Sequence, residues 1–164
     1  MGNLPKISVA IPFYNNSKFL EDCLRIPLID SRVNEIIIND DASSEEEWSR
    51  VVALIEGWAS GKAFSLDSCS RTREIYSDIT DINVSQYMSK VRLSRNESNL
   101  MGFRNKVVSV SLAKNDWVYL LDSDNYFTEQ TLPALYDDVD WDPNICYIPC
   151  MATMEKEYDG NGNP

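Results

Sequence analysis

Histidine is missing from all 164 residues of the sequence. Histidine supplies the base in Ser-His-Asp and Cys-His nucleophilic sites and is a usual ligand of zinc. Its absence excludes both kinds of nucleophilic enzyme and the His-bearing zinc sites. The cysteines form no Cys-x-x-Cys pair, so reduced thiols are favoured over a thiolate metal site. The four cysteines are Cys23, Cys69, Cys146 and Cys150.

Positive charge and long apolar runs are also scarce. Fifteen Lys and Arg residues oppose 26 Asp and Glu residues, which gives a net charge of −11. Nucleic-acid binding depends on clustered basic side chains, so nucleic acid is not the expected partner. No segment approaches the roughly 20 apolar residues of a membrane span, and residues 1–16 lack a signal-peptide pattern. We expect a cytoplasmic protein, whose peripheral association with a membrane would depend on regions beyond this chain.

The two common glycine-rich phosphate loops are absent as well. Neither Gly-x-Gly-x-x-Gly nor Gly-x-x-x-x-Gly-Lys-Ser/Thr occurs, which argues against a dinucleotide site and against a P-loop. A chain of this length with 43% hydrophobic residues has enough apolar side chains for one core. The sequence therefore predicts a single domain over residues 1–164.

Short apolar segments rich in β-branched residues alternate with amphipathic segments. Strands are predicted over 6–14, 33–41, 90–96, 116–124 and 144–152. Helices are predicted over 16–29, 43–58, 102–115 and from about Thr128 onward. Residues 58–89 lack a clear period and are expected to form an irregular excursion. The alternation predicts an α/β fold, a doubly wound and mainly parallel sheet with helices on both faces and its ligand at the carboxyl ends of the strands.

Acidic and polar residues follow the predicted strands at that edge. The segments are PFYNN after the first strand, NDDAS after the second and DSDN after the fourth. Carboxylates gathered in a crevice suit a divalent ion that carries a phosphate, because hard cations prefer oxygen ligands. These acids could also have a purely structural role. Asp40 and Asp41 suit a turn that caps the next helix, and Asp122 and Asp124 could also be helix caps.

Four segments in this order resemble the family 2 glycosyltransferases, which have the GT-A fold. The segments are ISVAIPFYNN (7–16), VNEIIINDDAS (33–43), NLMGFRN (99–105) and WVYLLDSDN (117–125). In that family, a strand ending in Pro-x-Tyr-Asn, a strand ending in Asp-Asp-x-Ser, a helix start with Arg-Asn and an Asp-x-Asp strand end build a nucleotide-sugar site. The sequence departs from the pattern at Asn39, Ala42 and Phe103, none of which is a ligand position.

The resemblance implies a role for each matching residue around the nucleoside. Tyr14 is expected against the nucleobase with Pro12 nearby, although it could also be a surface aromatic. Asp41 is expected to accept a hydrogen bond from the base, while Asp40 is assigned to structure. Asp122, next to Ser123, is expected near the ribose.

The same resemblance implies a diphosphate site with a metal ion. Asp124, together with Asp122, is expected to hold Mn²⁺ or Mg²⁺, and the ion would supply the positive charge that the acids lack. Arg104 is expected either to contact the diphosphate or to form a structural ion pair, and the sequence favours neither role.

The expected function is that of the donor-binding domain of a metal-dependent, inverting glycosyltransferase. It would use a nucleoside-diphosphate sugar, with uridine favoured, and a saccharide or lipid-linked acceptor, as in polysaccharide biosynthesis. The family's acceptor half and its general base are expected beyond residue 164. Two alternatives stay open: a sugar nucleotidyltransferase, which normally has a glycine-rich basic signature absent from PFYNNSKF, and a nucleotide-binding module without transfer activity.

Overall fold

The computed structural model describes residues 5–63, 83–138 and 141–142. Its strands are β1 (Ile7–Phe13), β2 (Val33–Asp40), β3 (Val91–Arg95) and β4 (Trp117–Leu120). Its α-helices are α1 (Leu20–Ile29), α2 (Glu45–Ala59), α3 (Met101–Ser111) and α4 (Thr131–Asp138). Short 3₁₀ helices span Ser17–Phe19 and Ser85–Lys90. The strand predicted over 144–152 and the cysteines other than Cys23 lie outside the described residues.

The four strands form one parallel sheet in the order β3-β2-β1-β4. The chain moves from β1 to β3 in one direction and then crosses back to place β4 on the other side of β1. Right-handed crossovers therefore put α1 and α2 on one face and α3 on the other, where α3 packs on β1 and β2. This confirms the prediction of a doubly wound α/β fold with helices on both faces.

The strand register aligns the carboxyl ends of the central strands. Phe13 pairs with Asp40, and Asp40 pairs with Arg95, so β1, β2 and β3 end at one level. On the other side of β1, Ala10 pairs with Leu120, and the Leu121 amide donates to the Ala10 carbonyl. The loops that follow β1, β2 and β4 therefore leave the sheet side by side.

The two faces of the sheet bury different kinds of side chain. One face, together with α1 and α2, contributes the apolar core, in which Ile11, Ile38 and Leu24 are fully buried. The face under α3 buries Ala10 and Ile37 but also several polar residues. These are Ser8, Glu35, Asn39, Asn105 and Ser109. The apolar side stabilises the domain, whereas the polar side must satisfy its hydrogen bonds within the protein.

Several boundaries differ from those predicted. Within the excursion predicted over 58–89, the first two residues complete α2 and Ser85–Lys90 forms a 3₁₀ helix. An isolated antiparallel bridge joins Ala63 to Asn83. The fourth strand ends at Leu120, so Asp122 and Asp124 lie in the loop that follows it. No helix in the described part of the chain is both long and apolar enough to cross a membrane.

Removing part of a side chain from the apolar face should destabilise the domain. Ile38 is fully buried in the core cluster, so Ile38→Ala should lower the free energy of unfolding by about 2–5 kcal/mol. Val107→Ala is the matched control, because Val107 is 54% exposed, and should change it by about 0.5 kcal/mol or less. Urea unfolding measures both values. Equal losses in the two variants would contradict the assignment of this face as the core.

Candidate functional site

A cavity of about 430 Å³ lies at the carboxyl edge of the sheet. Its volume falls within the range of small-molecule sites, roughly 300–1,000 Å³. The loops after β1, β2 and β4 and the first turns of α3 form its walls. The predicted site residues that line it are Pro12, Tyr14, Asp41, Asp122, Ser123 and Asp124. The fold therefore brings together residues that are up to 112 positions apart in the sequence, from position 12 to position 124.

The loop after β1 presents an aromatic ring at the rim of this cavity. Tyr14 is 50% exposed, and the next residue, Asn15, has a positive φ of 46°. The Asn15 amide donates to Ser43 Oγ at 2.8 Å, and Asn15 Oδ1 accepts from the Ser44 amide at 2.9 Å. These bonds tie the loop after β1 to the loop after β2, and the Tyr14 ring stays accessible to a ligand.

The two neighbouring acids after β2 lie in different environments. Asp40 is fully buried, accepts from the Ser43 amide at 3.1 Å and pairs with the Arg95 guanidinium at 2.9 Å. Asp41 lines the cavity, and Asp40 is not among its lining residues. Ala42, where the resembling family commonly has glycine, has a left-handed φ of 57°. A non-glycine residue there costs about 1–2 kcal/mol, so this turn is held in place by its surroundings.

Asp41 is 2% exposed and is anchored through one of its two oxygens. Its Oδ1 atom accepts hydrogen bonds from Asn96 Nδ2 at 2.9 Å and from the Leu100 amide at 2.8 Å. Asn96 in turn contacts Asn105 and Asn39, which are both buried. The sequence patterns did not predict this set of amide side chains. The sequence feature that pointed to it was Asn39, which departs from the pattern of the resembling family.

The loop after β4 presents its three residues differently. Ser123 is buried, and its Oγ atom accepts from Asn16 Nδ2 at 3.3 Å. The Asp122 carboxylate is partly exposed and pairs with Lys106 Nζ at 2.6 Å. Asp124 is exposed and forms no ion pair with a residue that the structure describes. Of the two acids, Asp124 has its carboxylate available to a ligand.

Lys106 is a cation in the wall of this acidic cavity that no sequence motif singled out. Arg104, which the resemblance implicated, is exposed and does not line the cavity. Successive residues of an α-helix are rotated by about 100° about its axis. The side chains of Arg104 and Lys106, two positions apart, therefore point in very different directions. Which of these side chains enters the cavity depends on how α3 packs on the sheet, so no local sequence signal marked Lys106.

Cys23 lies beneath the loop after β4. Its Sγ atom is 3.9 Å from the Asp122 carbonyl oxygen, and the side chain is fully buried. Burial, followed by the negative charges of Asp124, Asp22 and Asp122, raises the pKa of the Cys23 thiol. The thiol is therefore neutral at physiological pH and packs as an apolar group beneath the loop after β4, outside the lining of the cavity.

The donors present fit a divalent metal ion that a ligand helps to hold. Asp122 and Asp124 line one cavity and provide oxygen donors, which Mg²⁺ and Mn²⁺ prefer. In residues 5–63, 83–138 and 141–142, no group of three or more Cys, Asp or Glu side chains gathers into a metal site. One or two carboxylates completed by phosphate oxygens are a usual arrangement for Mg²⁺.

Comparison with known proteins identifies the class. The family model described as glycosyl transferase family 2 matches residues 62–162, so this chain belongs to that family. A curated relative from Mycoplasma genitalium, called uncharacterized glycosyltransferase MG060, is 28% identical over 170 residues. The alignment covers 94% of this chain and 49% of the relative. The chain thus spans about half the length of the curated relative that it matches.

Solved structures share the fold. Staphylococcus aureus TarS 1-349 in complex with UDP matches with a TM-score of 0.50 and 20% identity, over 79% of this chain and 30% of TarS. The mannosyltransferase PcManGT from Pyrobaculum calidifontis, in complex with GDP-Man and Mn²⁺, matches with a TM-score of 0.50 and 18% identity. That match covers 80% of this chain and 31% of PcManGT. These similarities support the GT-A fold implied by the sequence.

Proposed function

We propose that this chain is the donor-binding part of a metal-dependent, inverting glycosyltransferase that uses a nucleoside-diphosphate sugar. The observation that carries the proposal is that Asp41, Asp122 and Asp124 line one cavity at the carboxyl edge of the sheet. Membership of glycosyl transferase family 2 supports the reaction class. The UDP complex of TarS and the GDP-Man and Mn²⁺ complex of PcManGT support a nucleotide sugar and a divalent ion as ligands.

The nucleoside would occupy the end of the cavity near the loops after β1 and β2. Tyr14 offers an exposed aromatic face for stacking, next to Pro12. Asp41 offers a nearly buried acceptor to a base that carries an N–H group. Uracil has such a group at N3, which favours uridine. Asp122 and Ser123 would lie near the ribose, beyond the base.

The diphosphate would lie between the start of α3 and the loop after β4. Asp124, with Asp122 beside it, would hold Mn²⁺ or Mg²⁺, which when bound neutralises the charge on the departing diphosphate. Lys106 would contribute a second positive charge, because its ammonium group already reaches the cavity and pairs with Asp122. Without these cations, the three acids would repel a diphosphate.

Transfer with inversion is a single displacement at the anomeric carbon. The acceptor oxygen forms a bond to that carbon while the bond to the diphosphate oxygen breaks, and a general base takes the proton of the acceptor hydroxyl. The part of this reaction that the described residues would perform is to bind and orient the donor. We assign the general base to no residue of this chain, and propose a saccharide or lipid-linked acceptor.

Asp124→Asn tests the metal site. The variant should bind UDP in the presence of Mn²⁺ about ten- to a hundredfold more weakly, since losing a charge-assisted contact costs about 1.5–3 kcal/mol. Isothermal titration calorimetry with Mn²⁺ or with a chelator measures this loss. Asp116→Asn is the matched control, because Asp116 is exposed beside the opposite end of β4. Unchanged affinity in Asp124→Asn, or chelator-insensitive binding by the parent, would contradict the proposal.

Lys106→Met tests the diphosphate subsite separately from the base subsite. The variant should bind UDP about tenfold or more weakly while its affinity for uridine, which has no phosphate, stays the same. Lys114→Met is the control for loss of a lysine charge, since Lys114 lies in the loop before β4, away from the cavity. Equal losses for UDP and uridine would instead indicate that Lys106 supports the fold of the site.

A further inference from the structure

The two carboxylate oxygens of Asp41 differ in their hydrogen bonding. Its Oδ1 atom accepts from Asn96 Nδ2 and from the Leu100 amide, as described above. The Oδ2 atom accepts no hydrogen bond from the described residues, although the residue is only 2% exposed and lines the cavity. Oδ2 is not among the fully buried atoms that lack a partner, so it is open to the cavity. The geometry therefore leaves Oδ2 as the acceptor for a donor group on a ligand.

Asn96 is itself held by two other asparagines. Asn96 Nδ2 also donates to Asn105 Oδ1 at 3.1 Å. Asn39 Nδ2 donates to Asn105 Oδ1 at 2.7 Å and to Asn96 Oδ1 at 3.4 Å. We refer to Asn39, Asn96 and Asn105 as the amide triad. It joins β2, the loop after β3 and α3, which are three separate parts of the chain.

The amide triad fixes which end of the Asn96 side chain faces Asp41. If the Asn96 amide were reversed, its oxygen would face both the Asp41 carboxylate oxygen and Asn105 Oδ1, and two attractive contacts would become repulsive. The triad is not optimised for stability, because Asn39 Oδ1 is buried and has no partner among the described residues. A buried acceptor without a donor destabilises a fold, and such groups are found where an arrangement serves a site.

We propose that the amide triad is a positioning device that aims the free oxygen of Asp41 at the nucleobase and thereby sets base selectivity. This inference rests on the proposed function. A carboxylate has no N–H group, and with Oδ1 occupied by two donors the acceptor that it offers to the base is Oδ2. Uracil presents an N–H donor at N3, whereas cytosine has a lone pair at N3 that would face the carboxylate. Asn96, which touches Asp41 directly, is the positioning residue.

The test is the ratio of UDP to CDP affinity, measured by calorimetry with Mn²⁺ for the parent and for Asn96→Ala. The parent should prefer UDP, and the variant should lose about tenfold or more of that preference through weaker UDP binding. CDP affinity should change little, because cytosine has no N–H at N3 to donate to Asp41 Oδ2. Asn115→Ala is the control, since Asn115 also makes side-chain hydrogen bonds, to Ser8 and Asn34, but does not line the cavity.

The outcomes separate this inference from the function on which it rests. An unchanged UDP to CDP ratio in folded Asn96→Ala, or equal losses for both nucleotides, would overturn the positioning role alone. A parent that binds neither nucleotide would overturn the proposed function and this inference together. If thermal unfolding shows that Asn96→Ala is not folded, Asn105→Ala gives the same readout, because it removes the Asn105 acceptor that helps to orient the Asn96 amide while leaving the direct bond from Asn96 to Asp41. Retained selectivity in that variant would also overturn the proposal.

Discussion

The site depends on the parallel register of the sheet, because only that register brings the loops after β1, β2 and β4 to one edge. Phe13, Asp40 and Arg95 end their strands at the same level, and Leu121 is hydrogen-bonded to Ala10 on the other side of β1. A parallel strand order with the crossover back to β4 opens a crevice at this edge. The acids are therefore gathered by backbone geometry, not by attraction between their side chains.

The acids gathered at this edge repel one another, and the described residues compensate their negative charges only in part. Asp40 is compensated by Arg95 and Asp122 by Lys106, whereas Asp124 has no cationic partner in the part of the chain that the structure describes. Asp41 is held by neutral donors, which satisfy one of its oxygens without cancelling its charge. A ligand that brings its own cation and an N–H donor would complete both sites, which supports the proposal of a metal-bound nucleotide.

The parts of the fold that could be predicted were those whose signal is local in sequence. The runs ending at Phe13 and Asp40 are apolar and end at polar residues, so the strands and the position of Asp41 followed from the pattern. Asp40 and Asp41 enter different environments because successive residues at a strand end point to opposite sides. The nucleotide roles of the cavity residues remain proposals.

The features that could not be predicted depend on contacts between distant segments. Asn39, Asn96 and Asn105 meet only after β2, β3 and α3 have packed, and no local period marks them. The sequence pattern indicated Arg104, whereas Lys106 lines the cavity. The direction of a helical side chain depends on where the helix lies against the sheet, which the sequence pattern does not give. The sequence pattern also did not indicate that β4 ends at Leu120, because the apolar run continues to Leu121.

A crystal structure of this chain with UDP and Mn²⁺, with anomalous diffraction recorded to locate the manganese, would place both ligands in one measurement. We predict one nucleotide in the cavity at the carboxyl edge, with its uracil N3 within hydrogen-bond distance of Asp41 Oδ2. We also predict a manganese peak that contacts the Asp124 carboxylate and the diphosphate. A nucleotide bound elsewhere, or a manganese peak away from Asp124, would contradict the proposed site.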